Sequence, residues 1–593
     1  MLHRPFPAPF RRLRTCLALL LASGLLYSAF LWPVPRFLAS GIPYFSFTRG
    51  EVVSFLKIQG DAPRNLVPGD HLQLLYHFNL FHGMCHDEIP WLQNPYEFNF
   101  GPRDPPRRLD PYYAPFAFPY TLLRLAGTEA FAWNATQFLS VLLGTAFLFF
   151  LARRLGEGRL GDLGALSCAA LAESVPYLWT SLSGGSPTGF AMSLLPGVAL
   201  GVDLAVFDRR PVGGALAGLC LLASYMSDLH CAYFAMLSLP FWVLLSLARM
   251  PEGKKAAWTW KSLRALVPAF PALALELAFG AVSKGGLPGS AMENGPSLEQ
   301  VARHSPVLAS LFNPFYPHAF SFQFHIGVVL SLVWALGSLV LLRRRRRPGI
   351  LLAVASVLVL SMALGTNGPF GGALLKAARA IIPKYRFIRQ PLKVFCLLPA
   401  LVACISSLSA AALLERRKPW PPSRGSFSVS CGLALLAIAS VVLLARPMHA
   451  GVCLLPETSS AYRAAVQDAE ANGRRPKALM LPVLPGGALQ AAVYQHAALH
   501  NRLRMVNGYA PAYPLEYETV YKTFRPIQRG GKITRRQLRA LRKYGVTCVI
   551  LDGNIWGDFA KDASFEDIRE ELDQDPHFRF LGQADGIWAY AVQ

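Results

Sequence analysis

The feature that most constrains this chain is a series of about eleven apolar runs, each roughly 17 residues or longer, the length a helix needs to cross a bilayer. They begin near Leu17, Phe131, Leu160, Ala191, Val212, Cys231, Leu266, Phe324, Ile350, Val394 and Phe427. A water-soluble domain does not carry that many such runs. The chain therefore reads as mainly α, a polytopic membrane helix bundle whose solvent is the lipid bilayer. Composition adds one exclusion: with 53% hydrophobic and 16% charged residues, this is not a disordered chain.

The connections between the runs alternate in character. Arg11, Arg12 and Arg14 precede the first run, and Arg153 and Arg154 follow the second. Arg209 and Arg210, Lys254 and Lys255, Arg343 to Arg347, and Arg416 to Lys418 then fall at every second connection. Most of the formal net charge of +23 sits in these segments. A basic protein can be a nucleic-acid binder, but this periodic placement is the positive-inside pattern, so no nucleic-acid partner is expected. Arg343 to Arg347 reads as a stop-transfer anchor. The pattern puts the N-terminus in the cytoplasm and, with an odd number of spans, the C-terminus outside. The first run has the basic start of a signal peptide and small residues near Ser28 and Ala29, but it stays apolar through Leu31, Trp32 and Pro33 towards Phe37, which favours a retained span. The ten cysteines include no CxxC pair, and Cys168, Cys220, Cys404 and Cys431 fall in apolar runs, which argues against a disulfide framework or a cysteine zinc site.

Two domains follow: the bundle, residues 1–446, which includes a long outer loop at 40–129, and an extracytoplasmic α/β domain, residues 447–593. Medium outer loops are expected at Ser283–Gln323 and Thr366–Gln390. In the tail, Ala478–Leu484 and Val546–Asp552 look like short buried strands, and Gly586–Val592 like an edge or final strand. Ile533–Tyr544 looks like a basic amphipathic helix with Thr534 as its N-cap.

The long outer loop is rich in Trp, Tyr, Phe, Asn and Pro, a composition suited to packing on headgroups while presenting polar groups to a sugar. After Gly69-Asp-His-Leu-Gln73, an apolar stripe of Leu72, Leu75, Phe78, Leu80 and Phe81 predicts an amphipathic helix along the membrane with Asp70 at its start. Asp is favoured as an N-cap, and that reading stands beside any chemical one. His86, Asp87 and Glu88 could bind a divalent cation or supply a second acid, although adjacent residues rarely converge on one ion, which favours a solvated loop. Asp228 and His230 sit in a very short turn between the fifth and sixth runs; His318 and His325 lie near the start of the eighth. Glu173 and Glu276 lie inside apolar runs, where each is expected to find a partner. Asn134-Ala-Thr136 matches a glycosylation sequon but falls at the mouth of a span.

At this point the chain resembles a known class. An acid early in a large first outer loop, an eleven-span bundle and an outer C-terminal domain are similar to the GT-C membrane glycosyltransferases, and within them to the YfhO-like group of bacterial membrane proteins. The segments that carry the resemblance run in order: Gly69 to Gln73 with Gly83 and Pro90–Pro95 behind it; Tyr225-Met-Ser-Asp-Leu-His230; Phe312-Asn-Pro314 leading into Phe324-His-Ile-Gly327; Lys384-Tyr-Arg-Phe-Ile-Arg-Gln-Pro-Leu-Lys393; and, in the tail, Leu479–Pro482, Val506–Tyr509 and Tyr544–Ile550. Lys393 stands where Arg is commoner, which keeps charge but loses bidentate phosphate geometry.

The resemblance implies transfer of a sugar from a polyprenyl-phosphate carrier to a glycan, lipid or protein acceptor at the outer face of the bacterial inner membrane. It implies Asp70 as catalytic carboxylate and Arg386, Arg389 and Lys393 as the donor-phosphate cluster. Gln73, His86, Asp87, Glu88, Asp228 and His230 are further substrate-binding candidates. Some members of the class use a divalent cation and others none. The chemistry has its own logic: an acceptor hydroxyl attacking an anomeric carbon needs a base, and a departing lipid phosphate needs cations. Two other readings remain for such a bundle: a lipid or sugar transporter or flippase, drawing on Glu173 and Glu276, and a non-catalytic envelope-assembly protein that keeps the shape without the chemistry.

Overall fold

The structure is a computed structural model that describes residues 8–45, 63–101, 107–108, 113–250, 259–282, 290, 293–313, 321–415, 424–445, 450–559 and 563–593. All eleven apolar runs form helix. Eight are long and apolar enough to cross a membrane: Arg12–Phe30, Glu129–Leu155, Pro187–Val206, Leu229–Ala248, Gly327–Arg344, Arg346–Ala363, Pro391–Leu414 and Phe427–Ala445. The other three are shorter or broken. Pro211–Ser227 has 17 residues. Gly161–Glu173 stops and restarts as Pro176–Ser183, and Thr259–Leu266 passes through a 3-10 turn at Val267–Ala269 into Phe270–Val282. In both, a proline removes a backbone donor where the ladder breaks.

Consecutive spans run up and down, so the two ends of the bundle differ. At one end Arg154 and Arg249 converge on the buried Asp203; Arg154 also bonds Asp208 at 2.6 Å, and Arg345 bonds Glu157 at 2.7 Å. The C-terminal sheet lies at the other end, so the basic connections and the sheet are on opposite sides of the bundle. Leu398–Ala412 of the tenth span is buried throughout and rich in Ala and Ser, which makes it the centre of the bundle. Leu332, Leu336, Val354, Val357, Leu435 and Ile438, on the eighth, ninth and eleventh spans, are exposed and present the apolar surface that lipid would cover. The fourth and fifth spans meet backbone to backbone: a Cβ at Gly201 would lie 2.5 Å from the Ala217 nitrogen, and one at Gly213 2.4 Å from the Ala205 nitrogen.

The tail carries a five-stranded sheet in the order Arg504–Met505, Lys477–Leu481, Cys548–Asp552, Ile587–Val592, Phe578–Ala584. The first three strands are parallel and the last two pair antiparallel. The expected strands are thus present, with Ile587–Val592 as the final strand of the chain and inside the sheet. The basic helix is Arg535–Lys543, and Thr534 caps it within a reciprocal box with Gln537.

The tail does not fold apart from the first outer loop. Gly41–Tyr44 pairs antiparallel with Gly451–Leu454, which also takes Arg64–Asn65 in parallel. The Phe98 and Asn99 amides donate to the Asn507 and Met505 carbonyls at 2.8 and 3.1 Å, and Phe98 belongs to the same apolar core as Leu479, Leu481 and Val549. The helix predicted to lie on the membrane spans Asp70–Cys85, but it is buried on most of its faces: His71, Leu72, Leu74, Leu75, Tyr76, Phe78, Asn79, Leu80, Gly83 and Met84 are all covered. It is sandwiched between Ala114–Arg124 below and Ala491–His500 above. Its apolar residues cover more than one stripe, and two layers take them up.

Candidate active site

Asp70 is the first residue of its helix. Gly69, not Asp70, is the N-cap, so the expectation that Asp70 caps the helix is not met, and among the described residues no amide of its own helix donates to the Asp70 carboxylate. The helix start is pressed against the turn at Gly185, whose φ is +67°; a Cβ there would come within 2.2 Å of the His71 Cα. Asp70 is exposed, and its Oδ1 accepts a 2.8 Å hydrogen bond from the Tyr509 hydroxyl. Among the described residues its other oxygen accepts no hydrogen bond and is open to an incoming hydroxyl.

Tyr509 is held at every polar atom. Its amide donates to Glu97 Oε2 at 3.2 Å, and its carbonyl accepts from Gln73 Nε2 at 3.1 Å and Gln495 Nε2 at 3.0 Å. Its segment is fixed in turn because Asn507 pairs with both backbone groups of Met480, at 2.8 and 3.0 Å. Burial, and then the negative charge of Asp70, push the Tyr509 phenol well above its ordinary pKa, against an opposing pull from the Arg389 charge. It therefore stays a donor to Asp70 at any physiological pH. Gln73 thus works on the same tyrosine as Asp70, one turn along the helix.

Arg389 and Arg386 are exposed on the segment before the tenth span, and Arg386 lies over the Phe387 ring at 5.1 Å. The Arg389 charge is within electrostatic reach of Tyr509 and of the turn after the fifth span. Lys393 is different. Its ammonium is mostly covered and lies 3.1 Å from Thr188 Oγ1, 3.3 Å from His230 Nδ1 and 3.7 Å from Asp228 Oδ2. Asp228 caps the sixth span through the Cys231 amide at 2.8 Å and accepts from Thr188 at 3.0 Å. Burial alone would raise the Asp228 carboxyl, but the Lys393 charge and His230 outweigh it and hold it well below the ordinary carboxylate range. Asp228, His230, Thr188 and Lys393 therefore form one polar knot, with Asp228 and Thr188 buried and His230 and Lys393 partly covered.

The remaining sequence candidates lie elsewhere. His86, Asp87 and Glu88 are exposed at the far end of the Asp70 helix, about 22 Å along its axis. His86 Nδ1 lies 2.8 Å from the His82 carbonyl, and Glu88 pairs with Arg502 at 3.3 Å. Among the described residues, the one cluster spaced to hold a metal is Glu129, His496 and His500. The sequence signal for it was available: two histidines four apart on one helix. Glu173 and Glu276 are buried, but among the described residues neither has a cation within salt-bridge distance, and Glu276 Oε2 has no hydrogen-bond partner. The expected partner inside the bundle is thus not found for Glu276 among the described residues, while Glu173 faces the Thr145 hydroxyl rather than a cation. His325 is buried, and His318 lies outside the described residues. Asn134 is buried and donates to the Gly41 carbonyl at 2.8 Å, so it is a packing residue. Leu74, Phe78, Tyr113, Phe116 and Pro187 form a closely packed apolar seam between the Asp70 helix and the bundle.

No family model matches the chain, and no curated protein matches it. Among solved structures it is similar to the arabinofuranosyltransferase AftD from Mycobacteria, with a TM-score of 0.56 and 15% identity over 93% of this chain and 40% of that one. A mutant form of AftD gives 0.54 and 16%, over 92% and 42%. A more distant likeness, at TM-score 0.46 and 12% identity over 98% and 75%, is to the oligosaccharyltransferase AglB from Archaeoglobus fulgidus. At such identities the likeness is one of fold. The chain shares the polytopic helical fold of AftD, and it spans about 40% of the length of the AftD chain it matches.

Proposed function

We propose that this protein is a membrane glycosyltransferase that moves a sugar from a polyprenyl-phosphate carrier to a glycan, lipid or protein acceptor, with Asp70 as the catalytic carboxylate. The order of its motifs supports a reading within the YfhO-like group. The observation that best supports the reading is the hydrogen bond from the Tyr509 hydroxyl to Asp70, which brings the C-terminal domain onto the acid.

The step follows from these groups. The acceptor hydroxyl gives its proton to Asp70 as its oxygen bonds the anomeric carbon. The bond from that carbon to the carrier phosphate breaks on the opposite face, with inversion, and the electron pair leaves with the phosphate. Arg389, with Arg386 beside it, takes up the developing charge. Lys393 already faces Asp228, so its part is to hold the start of the tenth span under Arg389. Tyr509 keeps Asp70 oriented through one oxygen and leaves the other to the acceptor. The positive-inside rule puts the basic end of the bundle in the cytoplasm and therefore the Asp70 face outside, in the bacterial inner membrane.

The test is a transfer assay with purified full-length protein and a panel of prenyl-linked sugars. Wild type should label an envelope acceptor, and a folded Asp70→Asn variant should not. Full activity in that variant would overturn the assignment.

A further inference from the structure

Glu129, His496 and His500 meet where three parts of the chain join. Glu129 opens the second span, immediately after its N-cap Thr128. His496 and His500 lie one turn apart on Ala491–His500 of the C-terminal domain, so both rings project from one face. One ligand atom from each of the three residues lies within 4.8 Å of the others.

The carboxylate is oriented as a metal ligand would be. Asn79 of the Asp70 helix donates to its Oε1, and the Asn79 Oδ1 is fixed in turn by the Tyr120 hydroxyl at 2.7 Å. That leaves Oε2 facing His500 Nε2 at 3.2 Å. Ligands about 2.0–2.2 Å from a tetrahedral zinc stand about 3.3–3.6 Å apart, so this pair already has the spacing of one tetrahedral edge. An ion pair alone would explain Glu129 and His500. It does not explain His496, which is 2% exposed and whose Nδ1 has no hydrogen-bond partner among the described residues. Its ring stands edge-on to that of His500, with 4.4 Å between centroids.

From this geometry we infer that Glu129, His496 and His500 bind a divalent transition metal of the zinc class, which ties the C-terminal domain to the second span. Two imidazoles and one carboxylate select zinc-like ions over magnesium or calcium, which take oxygen ligands. The partial exposure of His500 leaves a fourth position for water. Asn79 is about 14 Å along its helix from Asp70, so the ion is a staple and takes no part in the chemistry there. It would fix the domain that carries Tyr509 against the helix that carries Asp70. The inference does not depend on the proposed reaction.

The test uses tag-free full-length protein in detergent, stripped with a chelator and reloaded with zinc or cobalt(II) alone. Wild type should retain one ion per chain after excess is removed, give the visible absorption bands of a four-coordinate cobalt site, and melt at a higher temperature when loaded. Glu129→Gln keeps the Asn79 contact available, and it and His496→Gln should each weaken retention by about tenfold or more. His577→Gln, at a histidine paired with Asp575 elsewhere, should not change it. Failure of wild type to retain stoichiometric metal, or undiminished retention in a His496→Gln, His500→Gln double variant, would overturn the site. Neither outcome bears on Asp70, because metal content is read without any transfer reaction.

Discussion

The hydroxyl of Tyr509 donates to the carboxylate of Asp70 across 439 residues of sequence, which makes the C-terminal domain part of the candidate site rather than an appendage. A hydrogen bond to a charged group contributes about 1.5–3 kcal/mol. Tyr509→Phe should therefore lower kcat by roughly 10- to 100-fold while the fold survives, because the amide and carbonyl contacts of Tyr509 to Glu97, Gln73 and Gln495 do not use the hydroxyl. Asp70→Asn should cost more, about 10²- to 10⁴-fold, as expected for loss of a positioned base. Initial rates of sugar transfer at saturating donor, with a melting curve for each variant, check both. A Tyr509→Phe enzyme at wild-type rate would show that the contact does not orient the acid.

Arg389 and Lys393 are four residues apart and should behave differently when removed. Arg389 is exposed, and among the described residues no acid pairs with it. Arg389→Ala should leave the melting temperature nearly unchanged and raise the KM for the phosphate-linked donor. Lys393→Ala would strip the cation from the buried Asp228. Breaking one side of a buried pair costs about 3–5 kcal/mol, so this variant should unfold at clearly lower temperature or fail to accumulate. Lys393→Ala paired with Asp228→Asn should recover part of that loss. Equal melting temperatures for the two single variants would refute the distinction.

The spans and the tail strands were legible because each is a local pattern. Apolar runs from Leu17 to Phe427 and the short buried strands at Lys477–Leu481 and Cys548–Asp552 need no knowledge of partners. The Asp70–Cys85 helix was legible as a helix but not in its placement. An apolar stripe does not say whether lipid or protein covers it, and here the helix at Ala491–His500 does. Tyr509 stood out only as part of a tail pattern, since nothing local ties it to an acid near the start of the chain. Lys393 read as a third phosphate-binding cation because the Asp228 that faces it lies 165 positions earlier in sequence, at another span.

Asp552 supplies a pH test that is independent of function. It ends a central strand and is 1% exposed; the Asn554 amide donates to it at 2.9 Å, and burial pushes its carboxyl up to about 6. An unfolded Asp titrates near 3.9. Since the folded value is the higher one, the folded state holds the extra proton between about pH 4 and 6, and stability falls as pH rises through that window. The loss across it is about 3 kcal/mol. Asp552→Asn removes the titrating group, so its melting temperature should be flatter from pH 4 to 6.5 and higher than wild type at pH 7. A wild-type protein that gains stability between pH 4 and 6 while the variant does the same would show that Asp552 is charged in the folded state at little cost.

Orientation can be read from a native cysteine. Cys85 ends the Asp70 helix on the sheet side of the bundle and is exposed, whereas Cys168, Cys220, Cys231, Cys396, Cys404, Cys453 and Cys548 are buried and Cys431 is half-buried within the eleventh span. Cys16 is exposed but sits in the first span among exposed leucines, where lipid rather than water would meet it, and a Cys16→Ser background removes it from consideration. If the basic end of the bundle faces the cytoplasm, a membrane-impermeant maleimide should label Cys85 in intact spheroplasts, and Cys85→Ser should abolish the signal. Arg345 lies at the opposite end, between Glu157 and Glu415, so a cysteine placed at the neighbouring exposed Glu157 should react only after lysis. The reverse result, protection of Cys85 and ready labelling at position 157, would put the Asp70 face in the cytoplasm. A lipid-linked sugar presented at the outer leaflet could then not be its donor.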